Sequence, residues 1–343
     1  MIKIQSLVRK NILDLSPYSS ARKNLILDNI TSLDANENPY GQLRKYPDTT
    51  YRKLIDSLSN FLSIDRKNIC VGNGSDEIID LLIRVFCEPA KDRIGIFEPT
   101  YGMYEVSANI SNIETIKFQL NQNFQIDSSD IDTINDTKDL KLIFICSPNN
   151  PTGNTISKKQ ISNLINTFNG IVIIDEAYID FSKNPSLVSF TESKNNVVIL
   201  RTMSKSFGLA GARIGYAIAD KLIIDYVNKI KPPYSISTLN QEAAIKALND
   251  IDAFKLNLSK ILKEKKWMYK QLIDVEAVKE LFFSDANFIL IKAQDSKGLY
   301  RYLISKKIHV RDRTKQISNT LRITIGTRAE NKLLINTIRE YYG

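Results

Sequence analysis

Between residues 69 and 219 the chain repeats one pattern, a short apolar run followed by a segment of helical periodicity, and this pattern leaves few folds open. The strand-like runs span residues 69–71, 93–97, 115–118, 142–146, 171–175, 197–201 and 214–219. Helical stretches such as 76–86 and 158–168 lie between them. Alternation at this spacing predicts an α/β fold with a mostly parallel sheet covered on both faces. After Pro232-Pro233 the pattern changes. Residues 238–270 read as one or two long helices, with Leu239, Ala243, Ala244, Ala247 and Leu248 at helical spacing. Shorter strands at 288–292, 308–311 and 321–325 and an amphipathic segment at 330–342 follow. Residues 1–40 carry turn chemistry and little periodicity, so they are expected to pack across from elsewhere. The expected division is a large domain over 41–237 and a smaller α+β domain made of 238–343 with 1–40 as an N-terminal arm.

A chain of 343 residues with 43% hydrophobic side chains has ample core, so neither a disulfide nor a structural metal is needed. Cys70, Cys87 and Cys146 are far apart and form no C-x-x-C pair, which suits a reducing cytoplasm, and the apolar runs around Cys70 and Cys146 suit buried thiols. Residues 1–6 open no long apolar run and show no small-residue cleavage site, so no export signal is expected. No apolar stretch approaches the roughly 20 residues of a spanning helix, so no membrane partner is expected. The net charge of +9 fits attraction to anions or a solvated lysine-rich surface. Its basic residues are dispersed without an interleaved aromatic stripe, which argues against a nucleic-acid partner. His309 is the only histidine, so neither a metal cluster nor a Ser-His-Asp triad is supported.

Three motifs carry the chemistry: Ser147-Pro148-Asn149-Asn150-Pro151-Thr152-Gly153, then Ile173-Ile174-Asp175-Glu176-Ala177-Tyr178, then Ser204-Lys205 with Arg213 eight residues on. A lysine amine condenses with aldehydes, and this constellation can hold pyridoxal phosphate (PLP), an electron sink. Asp175 ends an apolar strand, where a carboxylate is costly unless it meets a cation such as a protonated pyridine nitrogen. Alternatively it caps a following helix. Tyr178 and Asn150 could donate to the cofactor's phenolate oxygen. Thr202, Ser204 and Arg213 offer the hydroxyls and guanidinium fork that a phosphate monoester needs. The loop Gly72-Asn73-Gly74-Ser75-Asp76-Glu77 ends a strand and opens a helix, so its backbone N–H groups could cradle the same phosphate at Ser75 and Asp76. The side chains of Asp76 and Glu77 must then turn away. Tyr101, in the loop after the strand at 93–97, could stack on the pyridine ring or simply line the core.

This motif set resembles the fold-type I aminotransferases. Leu33 to Gly41, Arg44 to Asp48, Pro99 to Tyr104, Leu321 to Arg328, Leu15 to Arg22 and Val310 to Arg313 narrow the resemblance to the histidinol-phosphate aminotransferase family, over about residues 12 to 330. The resemblance implies a homodimer with active sites at the subunit interface, Lys205 as the base that moves the Cα proton, and small-molecule substrates: histidinol phosphate with 2-oxoglutarate or glutamate. It implies that Tyr46 reaches the cofactor phosphate of the partner subunit. It implies that Arg322 binds the anionic end of the substrate, helped by Arg311 and Tyr18, with Asn36 and Tyr234 at the entrance. Arg311 has a second reading as a surface salt-bridge partner. Two other functions stay open: a related PLP enzyme, such as an aromatic aminotransferase or a decarboxylase of phosphorylated hydroxy amino acids, and a non-catalytic PLP-binding regulator.

Overall fold

The computed structural model describes residues 2–16, 31 and 33–343. Seven strands form the larger sheet: β1 (Ile69–Asn73), β2 (Arg93–Glu98), β3 (Glu114–Gln119), β4 (Leu140–Cys146), β5 (Ile171–Asp175), β6 (Val197–Thr202) and β7 (Ile214–Ala219). Their order is β1-β7-β6-β5-β4-β2-β3. Neighbours from β6 to β3 pair in parallel, while β7 runs antiparallel to both β6 and β1. Six strands therefore share one direction, and β7 alone is reversed.

The consecutive apolar residues of the central strands are explained by two separate cores. Leu142, Phe144, Cys146, Ile171, Ile173, Val198 and Leu200 enter one, beneath the helices Ser75–Phe86 and Lys221–Ile230. The intervening Ile143, Ile145, Val172, Ile174, Val197 and Ile199 enter the other, beneath Arg52–Leu62, Lys158–Thr167 and Thr238–Asn249. Side chains alternate across a strand, so a strand covered on both faces must be apolar at every position. Ile4, Leu7, Val8 and Ile12, expected with the smaller domain, pack instead into the first of these cores.

The second sheet is antiparallel, with β8 (Val278–Leu281), β9 (Phe288–Ala293), β10 (Arg311–Asp312) and β11 (Thr320–Thr324) in the order β10-β11-β9-β8. Ile289, Ile291, Leu321 and Ile323 face Met268 and Leu272 of the helix Ile251–Ile273 and Leu334, Ile335 and Ile338 of the helix Arg328–Tyr342. The last helix starts with a capping box, Thr327 and Glu330 satisfying each other's backbone N–H groups. The strand expected at 308–311 is reduced to Arg311–Asp312, and β8 carried too few apolar residues to be seen beforehand.

One contact joins the sheets near the edge that matters, and a second holds the loop that makes it. Asp285 N–H donates to Gly153 O at 2.7 Å, and the Lys265 ammonium, buried, donates to Ser284 O and Ala286 O at 2.8 Å each. Elsewhere β7 passes so close to the β1–helix loop that a Cβ on Gly215 would lie 2.1 Å from Ser75 N. Gly215→Ala should therefore destabilise the protein by roughly 1–3 kcal/mol. Gly102→Ala, with nothing within 4 Å of its added Cβ, should leave the melting temperature unchanged. Parallel thermal melts of the two variants check this; equal melting temperatures would mean the loop yields freely.

Candidate active site

The carboxyl ends of β1, β2, β4, β5 and β6 lie along one edge of the large sheet, where open α/β sheets bind ligands. Because β7 is reversed, its amino end lies at the same edge and delivers Arg213, the residue before Ile214. The cleft there is lined by Ser75, Asp76, Tyr101, Cys146, Asn150, Asp175, Ala177, Tyr178, Thr202, Ser204, Lys205 and Arg213. Residues distant in sequence and singled out from motifs thus share one cavity.

Asp175 follows Ile171 and Ile173 on the same face of β5 and sits beside Cys146 of β4 in register. It is 2% exposed. The Tyr104 hydroxyl donates to its Oδ2 at 2.7 Å and the Ala177 N–H to its Oδ1 at 3.0 Å. These two donors do not offset burial, and desolvation pushes the Asp175 carboxyl up to about 6. No cation reaches it within ion-pair distance among the described residues.

Lys205 is half-buried, its Nζ 5.9 Å from the centroid of the Tyr178 ring. Burial, then the positive charges of Arg322 and Arg213, lower its ammonium pKa, so the neutral amine is more accessible than in water. Behind the lysine, Ser206 donates to Asp180, whose other oxygen takes Arg201 Nη2 at 3.0 Å. Buried Glu176 accepts from Ser186 Oγ and Leu187 N–H at 2.6 Å each and lies 3.6 Å from Arg201 Nε. This network pins the loop carrying Lys205.

At the other end of the cleft, Ser75 opens the helix Ser75–Phe86 behind Gly74, with its N-terminal N–H groups free of side-chain caps. Thr202 Oγ1 lies 3.0 Å from Ser204 Oγ, and Arg213 approaches Ser204 Oγ at 3.5 Å. Asp76 differs from expectation. Its carboxylate does not turn away but accepts from Tyr101 OH at 3.0 Å and from Arg213 Nη2 at 3.3 Å, within the cleft. Glu77 does turn back, accepting from Asn73 N–H at 2.6 Å. Asn150 is buried between two groups, its amide donating to Tyr178 OH at 3.4 Å and its Oδ1 accepting from Arg322 Nη1.

Other expected site residues lie elsewhere. Arg311 is exposed and pairs with Arg322 in the β10–β11 register, with no ion pair among the described residues to support its surface reading. Tyr46 is 50% exposed and stacks on Tyr234 at 4.5 Å. With Asn36 it stands outside the Lys205 cleft, and both line a separate groove bounded by Arg44, Ser237 and Leu239. Tyr18 lies outside the described residues. Sequence reasoning missed Tyr104, whose position three residues past Tyr101, on the first turn of the helix Met103–Ile110, was the available signal. It also missed the Arg201–Glu176–Asp180 network, because nothing in the sequence pairs Arg201 with Glu176 and Asp180.

The aminotransferase class I and II family model matches residues 14–338. The chain belongs to this family. A histidinol-phosphate aminotransferase of Cytophaga hutchinsonii is 44% identical over 98% of this chain and 99% of its own length. The crystal structure of the histidinol-phosphate aminotransferase from Clostridium acetobutylicum is 30% identical, covers 87% of this chain and 90% of its own, and superposes with a TM-score of 0.80. That from Sinorhizobium meliloti, in complex with pyridoxal-5'-phosphate, shares the fold at a TM-score of 0.80 and 22% identity, over 87% of this chain and 83% of its own.

In this aminotransferase the desolvated Asp175 makes a clear prediction. Its carboxyl holds a proton more tightly folded than unfolded, so between about pH 4 and pH 6 the folded state binds more protons and loses stability as the pH rises. Asp175→Asn should therefore melt above the parent in ligand-free protein at pH 8, with the advantage vanishing below pH 4. Thermal melts across this range check it, and a pH-independent difference would show that the carboxylate is not strained.

Proposed function

We propose that this aminotransferase uses PLP to move the amine of L-histidinol phosphate to 2-oxoglutarate, giving imidazole acetol phosphate and L-glutamate, as a step of histidine biosynthesis. The observation that carries the chemistry is a buried acid with no cation in ion-pair reach among the described residues and a half-buried amine whose pKa burial lowers, both in one cleft. The substrate follows from the names of relatives 40–44% identical over nearly the whole chain.

The donor set fits the cofactor. Asp175 would pair with the protonated ring nitrogen, which supplies the missing cation. Asn150 and Tyr178 would bond the phenolic oxygen, and Tyr101 would cover the ring. The helix terminus at Ser75 and Asp76, with Thr202, Ser204 and Arg213, would hold the phosphate. Bound there, PLP supplies an aldehyde carbon to engage the amine and a ring that withdraws electrons from it. Lys205 would take the Cα proton of the substrate and return it on the cofactor carbon that had been the aldehyde. Arg322 would bind the anion at the far end of either substrate, with Arg311 and Tyr18 helping to hold it and Asn36 and Tyr234 at the entrance.

The same reading makes the enzyme a cytoplasmic homodimer. Leu43 and Leu239 are 64% and 55% exposed in the groove that holds Tyr46. A second copy covering this face would remove apolar surface from water and let Tyr46 reach the partner's phosphate cradle. The reading divides the chain into a cofactor-holding domain, 41–237 joined by the segment from Ile4 to Ile12, and a smaller one from 238–343.

Amine transfer to 2-oxoglutarate should be fastest from histidinol phosphate in a panel with phenylalanine and threonine phosphate. Lys205→Ala should lower it by about 10³-fold or more. Undiminished transfer in that variant would remove Lys205 from the reaction, and a preference for phenylalanine would move the substrate.

A further inference from the structure

The hairpin formed by β10 and β11 carries three arginines on one face. Arg311 sits opposite Arg322 in the register, and Arg313 N–H donates to Thr320 O at 3.0 Å, continuing the ladder by one pair. Residues two apart on an extended strand point the same way, so Arg313 joins Arg311 and Arg322 while Asp312 points to the other side. Asp312 is occupied there, accepting from Thr314 N–H at 2.8 Å. Among the described residues none of the three guanidinium groups has a carboxylate within ion-pair distance. The Nε atoms of Arg313 and of Arg322 are both buried without a hydrogen-bond partner.

Burial, with the cations of Arg322 and Arg311 beside it, pushes Arg313 down to about 10. A partly buried cluster of like charges with unpaired donors is costly unless an anion completes it. The cluster reaches the reaction cleft through Arg322 and the turn after Arg313. Arg322 bonds Asn150, and Gln316, in the turn after Arg313, donates to Thr100 O at 3.1 Å, next to Tyr101.

We propose that Arg313 is a specificity-determining residue that joins Arg322 and Arg311 in binding a phosphate monoester, so that the site favours a phosphorylated amine over one bearing a carboxylate. The inference rests on the function proposed above, which requires one site to accept both. A carboxylate is planar, singly charged and satisfied by one guanidinium fork. A phosphate monoester carries nearly two charges and a third terminal oxygen. A third arginine is surplus for the first anion and matched to the second.

The test is single-turnover amine transfer by PLP-loaded enzyme from L-histidinol phosphate and, separately, from L-glutamate, in the parent, Arg313→Gln and Arg313→Lys. Arg313→Gln should weaken apparent affinity for histidinol phosphate roughly 30-fold and for glutamate less than about threefold, with maximal rates little changed. Arg313→Lys should recover part of the loss, because it restores charge without the fork. Inorganic phosphate should lose potency as a competitive inhibitor in the same order. Relief of repulsion should leave the melting temperature of Arg313→Gln at or above that of the parent. Equal loss for both donors, no loss for either, or a lowered melting temperature would overturn the proposal. A parent inert toward histidinol phosphate but active on another phosphorylated amine would overturn the substrate reading alone. The same comparison, run on that amine, then decides the role of Arg313.

Discussion

The site depends on a carboxylate placed where water cannot reach it. Asp175 ends a strand whose preceding residues are all fully buried, and the register of β4 and β5 sets it beside Cys146 under Tyr104. Two hydrogen bonds hold its orientation but leave it short of a counter-charge. The protein thereby carries a standing electrostatic cost at one point of its interior, and a cationic ring nitrogen is the kind of group that removes it. Concentrating strain at a functional site and offsetting it with well-packed surroundings is a recurrent physical arrangement.

Around that acid the chain builds rigidity in layers. The Arg201–Glu176–Asp180 network lies behind the loop that presents Lys205, and its charges are paired despite their burial. Asn150 is fixed from two sides, by Tyr178 and Arg322, which come from different sheets. The loop bearing Asn150 is further tied to the smaller sheet, where Asp285 meets Gly153. The cleft is therefore a joint product of both sheets, although most of its lining comes from the larger one.

Much of this was legible beforehand, for physical reasons. Doubly covered strands must be apolar throughout, so the central strands of the large sheet showed in the sequence, and the edge strand β3 showed by its β-branched and aromatic residues. Motif residues at strand ends had to converge because parallel strands end at one edge. What stayed hidden depended on contact rather than pattern. Tyr104 reads as one more helix aromatic until the packing places its hydroxyl on Asp175. Asp76 was expected to avoid the anion cradle, yet Arg213 pairs with it and Tyr101 donates to it in place. The short β10 gave no periodicity to read, so the shared face of its arginines became visible only with the register.

The reversed strand β7 has a consequence for motion. Lys205 and Arg213 belong to one short connection between β6 and β7, whose two ends are zipped together where Thr202 meets Gly215. Fraying of that zipper would loosen lysine and arginine in a single event, with no need to disturb the rest of the sheet. The amine and the guanidinium are thus mechanically one latch, hinged on a hairpin.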